Sequence, residues 1–202
     1  MKVAVVGEGL TEYSCLPTVA GKLGNTVIRN VHFRGSNAGF DWEQLFRKKI
    51  SPLVCAVAAA SPDKIVVVLD RENRDECPAE LAALGLSVIL EECGHCLEGS
   101  EVSVVVADRE FETMVFADYG VIDTLPILEA PVSHEFPATT DSRGVVSWLK
   151  GRFKAGNSYD KPQDGKFLAQ RMDLASPDVL ARCRGLRKLV KELTPPPVIG
   201  NE

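Results

Sequence analysis

The chain has 202 residues, enough for one ordinary domain with a small appendage and for a core that needs no staples. Hydrophobic residues make up 45% and charged residues 25%, a mix that excludes collagen-like, disordered and coiled-coil classes, and no apolar run approaches the ~20 residues of a membrane span. Net charge is −5 but uneven: residues 143–194 hold 12 Lys/Arg and 5 Asp/Glu, a balance of +7, which leaves −12 on the rest. In chain order, residues 1–7 read as a short buried strand ending at glycine. Residues 11–23 have helical apolar spacing, and 26–33 alternate as a strand. Asp41 caps a helix over 42–60 that Pro52 bends or splits. Residues 64–70 form a β-branched strand, apolar on both faces, as central parallel strands are. A short helix over 78–84, strands over 87–90 and 102–107, and a helix starting within 111–118 follow.

This alternation predicts an α/β fold, a mainly parallel, Rossmann-like sheet with helices on both faces. Residues 1–122 form that core. Residues 123–142, with Pro126, Pro131 and Pro137, read as an irregular connection. Residues 143–194 form a basic helical segment packed on the core, with helices over 145–153, 166–172 and 177–193. Residues 195–202 are a loose tail.

Six cysteines are too sparse for a disulfide framework. The N-terminus reaches Glu8 too soon for an export signal, so a cytoplasmic location and free thiols are the expectation. Cys93-Gly94-His95-Cys96 resembles half a zinc site. A structural zinc needs four ligands, and Cys77 stands alone, so a glycine turn with incidental thiols is favoured.

In an open α/β sheet, functional groups gather at the carboxyl ends of parallel strands. Three acidic clusters fall there: Glu8 with Glu12 one turn later, Asp70 with Glu72, and Asp108 with Glu110 and Glu112. Crowded carboxylates raise one another's pKa and destabilise a fold. A divalent cation resolves the conflict, and Mg²⁺ takes carboxylates, water and phosphate oxygens. Glu12 and Glu112 also suit a helix dipole simply by lying in first turns. Gly7-Glu8-Gly9-Leu10-Thr11-Glu12 lacks the third glycine of a dinucleotide fingerprint, and its carboxylate would repel a pyrophosphate.

Strand, Glu8-Gly9, Thr11-Glu12, then a strand followed by Asp70-Arg71-Glu72 resembles the Toprim domain. That domain is shared by topoisomerases, primases and nucleases of the overcoming-lysogenisation-defect type. The whole chain is similar to a family of small bacterial Toprim-like proteins often encoded beside an ATPase. Asp108-Arg109-Glu110-Phe111-Glu112 matches that family's acidic stretch. Tyr159-Asp160-Lys161-Pro162 and Gly165-Lys166 match its C-terminal pattern.

The resemblance implies a Mg²⁺- or Mn²⁺-dependent nuclease acting with an ATPase partner, with anti-phage defence as the expected setting. Glu8 would be a ligand or general acid/base, and Asp70 a ligand. Glu72 would stand where the family has a second aspartate. Glu12, Glu110 and Glu112 would complete a second metal site, and Lys166 would neutralise charge at the scissile phosphate. Lys161, Lys166 and Arg171 would grip nucleic acid, DNA or RNA, with Arg184, Arg187 and Lys188 extending the surface. The competing expectation is a non-catalytic subunit that docks an ATPase or nucleic acid through the same basic segment.

Overall fold

β1 (Lys2–Gly7) and β3 (Lys64–Asp70) are apolar on both faces because each has a strand on either side and helices above and below. In the computed structural model, which describes residues 1–33, 41–72, 74–136, 138–141 and 144–196, they pair in parallel at the centre of a four-stranded sheet. β2 (Thr26–His32) and β4 (Glu101–Ala107) complete the order β2-β1-β3-β4, all parallel. The α/β, Rossmann-like architecture expected from the alternation is the one observed. Arg143, Pro137 and the last six residues of the expected tail lie outside the described residues.

The period of two in each strand divides the core. Val3, Val5, Val66, Val68 and Val105 face α1 (Leu10–Lys22) and the later helices. Ala4, Val6, Ile65, Val67 and Leu69 face α2 (Trp42–Leu45), α3 (Ser51–Ala58) and α4 (Pro78–Cys93). The order in which the strands are connected reverses between β1 and β3, so their carboxyl ends open the crevice where such folds bind ligands.

α1 carries Pro17, which cannot donate to the Tyr13 carbonyl. Asn30 Nδ2 donates to that carbonyl at 2.8 Å, so the helix continues unbroken. Pro52 neither ends nor splits its helix. The turn before it, Phe46–Ile50, widens to a π-helix in which Ser51 N donates to Phe46 O, and this accommodates the ring. The strand expected over 87–90 is absent: those residues belong to α4, which runs nine residues past its expected end. Leu81, Gly85, Val88 and Ile89 lie on one helical face and are buried. A four-residue apolar run looks alike in both states until its flanks are weighed.

After β4 come α5 (Glu112–Val115) and α6 (Tyr119–Ile122), both short. α7 (Val145–Leu149) closes in a 3₁₀ turn, four residues before the expected end of its helix. α8 (Lys161–Arg171) starts earlier than expected, because Asp160 accepts from Gln163 N at 3.0 Å and Pro162 suits a first turn. The single helix expected over 177–193 is two, α9 (Pro177–Arg182) and α10 (Arg184–Leu193), parted at the extended Cys183. Leu168, Leu186 and Leu189 join the same core as Val66 and Leu16. α8 lies tightly on α1: a Cβ on Gly165 would stand 3.2 Å from Thr11 Cγ2 and 3.3 Å from Cys15 Sγ.

The expectation of free thiols fails at one pair. α3 packs on α4, and Cys55 and Cys96 form a disulfide across a sequence separation of 41, which spacing alone conceals. No helix among the described residues is long and apolar enough to cross a membrane.

Candidate functional site

Strand register brings the carboxylates together. Gly7 pairs with Val68, so the next residues, Glu8 and Leu69–Asp70, emerge side by side. Asp70 N donates to Glu8 Oε2 at 3.0 Å. Gly7 has no side chain for a steric reason: a Cβ there would lie 2.6 Å from Glu12 Cβ. Its absence lets the first turn of α1 close on the strand end. Glu12 Oε2 accepts from Gly9 N at 3.0 Å, half of a capping box. Glu112 Oε1 accepts from the Thr11 hydroxyl at 3.3 Å, which draws the loop after β4 onto α1.

Two residues at this rim hold left-handed backbone without being glycine: Glu72 at φ 57° and Arg109 at φ 93°. Arg71 N donates to Ala107 O and Glu72 N to Arg109 O, each at 3.0 Å, extending the β3–β4 ladder past the strands. Non-glycine residues persist there only where surroundings compel them, and such positions cluster at functional sites.

Glu8, Glu12 and Glu112 are 8%, 4% and 2% exposed. Burial pushes Glu12 up to about 7, against the pull of backbone hydrogen bonds, and Glu112 and Glu8 add to the rise. Burial also drives Asp70 well above the carboxylate range, followed by repulsion from Glu12, Glu8, Glu112 and Glu72. Glu110 rises through burial and then Glu112, with Lys161 opposing. Lys161 pairs with the cluster, 3.1 Å from Glu112 Oε1 and 3.5 Å from Glu110 Oε2. Burial works to lower its ammonium, but Glu112, Glu110 and Asp70 outweigh that and hold it above its ordinary value.

The donors are all hard oxygens, and several lie within one another's field. In kind they fit Mg²⁺ or Mn²⁺. Among the described residues, however, no three carboxylates bring oxygens within 4.8 Å of one another; Cys55, Cys93 and Cys96 alone meet that spacing with their sulfurs. Open spacing suits an ion that keeps much of its water, as Mg²⁺ does. The second ion expected among Glu12, Glu110 and Glu112 has a competitor in place, because Lys161 already pairs with two of the three.

Asp108, the first acidic residue after β4, is engaged elsewhere. Arg71 lies 2.7 Å from its Oδ1, and Arg184 pairs with its Oδ2. Arg184 Nε also lies 3.1 Å from Asp141 Oδ2. Lys188 pairs with Glu192. The Arg171 guanidinium stacks 3.6 Å from the Phe167 ring centre at the far end of α8, about 15 Å along the axis from Lys161. Lys166 and Arg187 make no ion pair among the described residues, and Lys166 is exposed. The resemblance puts Lys166 near the scissile phosphate; the lysine that pairs with Glu110 and Glu112 is Lys161.

Thr11 and Tyr159 carry no role that the sequence alone assigns. Thr11 precedes Glu12 in a first helical turn, which was a usable signal. The Tyr159 hydroxyl is buried without a hydrogen-bond partner among the described residues, 3.4 Å from where a Gly165 Cβ would stand. Burial first, then Glu112, holds it protonated. A scan against protein-family models finds no match to this chain, and searches of curated proteins and of solved structures find none either.

Proposed function

We propose that the chain is a Toprim-type, metal-dependent phosphodiesterase that cleaves nucleic acid, DNA or RNA, and that it works with an ATPase partner. The observation that carries the reading is the convergence of Glu8, Glu12, Asp70 and Glu112 at the crevice between β1 and β3, crowded and buried enough to raise Glu12 and Asp70. Glu8 and Asp70 would hold Mg²⁺ or Mn²⁺, with Glu72 at the rim and Glu12, Glu110 and Glu112 behind. Bound there, the ion supplies polarisation of a phosphoryl oxygen and an acidified water. Lys161 screens Glu110 and Glu112 so that a phosphate can approach. Lys166, exposed and outside any ion pair among the described residues, is available to the transition-state charge. A role in anti-phage defence follows from the family resemblance alone.

A second reading, a non-catalytic subunit, draws on the engagement of Arg184 and Lys188 with acidic neighbours, which thins the phosphate grip. It also draws on Leu10 and Tyr13, apolar and exposed beside the crevice. Nicking of plasmid DNA and cleavage of RNA with Mg²⁺ or Mn²⁺, with and without a co-purified ATPase, decides. Cleavage abolished by Asp70→Asn and Glu8→Gln supports the enzyme. No cleavage in any combination, beside a stable ATPase complex, leaves the subunit.

A further inference from the structure

A second cluster stands apart from the acidic crevice. Cys55 lies on α3. Cys93 ends α4, and Cys96 closes the 3₁₀ turn Gly94–Cys96 that follows. Their three sulfurs lie within 4.8 Å of one another. Cys93 is fully buried, whereas Cys55 and Cys96 are partly exposed. The ligand that the Cys93-Gly94-His95-Cys96 turn lacks in sequence is therefore supplied in space by the α3–α4 contact.

We propose that these three cysteines form a redox-gated site for a soft d¹⁰ cation, Zn²⁺. In the oxidised chain the Cys55–Cys96 bond ties up two of the donors. An external thiol approaches at Cys55 and Cys96, both partly exposed residues. Two thiol equivalents are oxidised to their own disulfide and deliver two electrons and two protons, regenerating Cys55 and Cys96 as thiols. Zn²⁺ then displaces three protons and takes three thiolates, with water as the fourth ligand. Zinc–sulfur bonds of about 2.3 Å require sulfurs about 3.8 Å apart in a tetrahedron, so movements on the order of 1 Å complete the shell. Sulfur donors select zinc against Mg²⁺, which keeps this site chemically separate from the carboxylates.

The test uses the full chain, reduced and desalted under nitrogen, with Zn²⁺ alone as probe and a chromophoric chelator as competitor. One tightly held Zn²⁺ per reduced chain is expected. Affinity should fall by roughly a hundredfold or more after oxidation with a disulfide reagent, and likewise in Cys55→Ser and Cys96→Ser. Asp70→Asn should keep its zinc, which separates this site from the acidic one. Cys93→Ser removes a buried group and can compromise folding, so the two partly exposed positions carry the test, with circular dichroism confirming their fold. Zinc held equally by the oxidised chain, by Cys55→Ser or by Cys96→Ser overturns the proposal. Failure of the reduced, folded chain to hold Zn²⁺ overturns it too.

Discussion

Asp70 sits where desolvation and four acidic neighbours all oppose its charge. Replacing it with Asn removes that repulsion at constant size. Asp70→Asn should therefore raise metal-free stability at pH 8 by on the order of 1–2 kcal/mol, while abolishing Mn²⁺ binding measured by calorimetry. Unchanged Mn²⁺ affinity would remove Asp70 from the site. Glu8 and Asp70 were legible in the sequence because an acid at the end of an apolar strand has little other reason to be there. The partner of each cation was not legible. Lys161 and Lys166 are five residues apart in one basic stretch, and only the docking of α8 on α1 decides which meets Glu112. Arg184 looked like part of a phosphate surface. Nothing in its neighbourhood announces Asp108, 76 residues away. Arg184→Ala should accordingly cost about 1 kcal/mol of stability without changing the salt slope of nucleic-acid binding, which thermal melts and anisotropy would check. A flattened slope with unchanged melting would return Arg184 to the binding surface.

Among the elements, the two packed faces explain which boundaries could be read. β1 and β3 are legible because burial on both faces leaves a nearly continuous apolar run, mostly Val, Ile and Ala. α4 was cut short because Ser87–Leu90 has strand-like composition, and only its phase with Leu81 and Gly85 assigns it to a helix. That phase matters for packing. A Cβ on Gly85 would lie 2.3 Å from Phe46 Cζ, inside the core of the second face. Gly85→Ala gains up to ~1 kcal/mol of helix propensity, yet the rigid buried ring leaves no room. The expected net loss is about 1–3 kcal/mol. Phe46→Leu should absorb part of it, giving a favourable coupling in a double-mutant cycle by urea denaturation. Additive losses would show that the contact does not limit the packing. The same face carries the α3–α4 seam, so Cys55 and Cys96 meet through helix packing that no local motif encodes.

For the whole molecule, the uneven charge seen in sequence becomes an internal field that pH and divalent ions should both control. The unfolded chain ionises Glu12 near 4.5, whereas the folded chain holds its proton up to about 7. Between those values the native state binds more protons than the unfolded state. The slope of unfolding free energy with pH is then negative, and stability is lost as pH rises through the window. Asp70 and Glu110, also raised, act in the same direction. Glu192 acts oppositely, because Lys188 and Lys64 overcome its burial and hold it below 4.5. Its contribution is lost only as pH falls below that value, so it does not mask the trend. Lys161 is raised from 10.5 and changes charge well above the window. The metal-free protein should therefore melt at a lower temperature at pH 8 than at pH 5. Glu12 alone accounts for on the order of 3 kcal/mol, or several degrees for a chain this long. Glu12→Gln should flatten the profile. Millimolar Mg²⁺ should restore stability at pH 8 and do less at pH 5, where protons already compete for Glu12 and Asp70. Melting curves across pH with and without Mg²⁺ test all of this at once. A metal-free profile that rises from pH 5 to 8 would mean that the carboxylates are not crowded in solution. A Mg²⁺ effect of equal size at both pH values would mean that the ion binds somewhere other than this crevice.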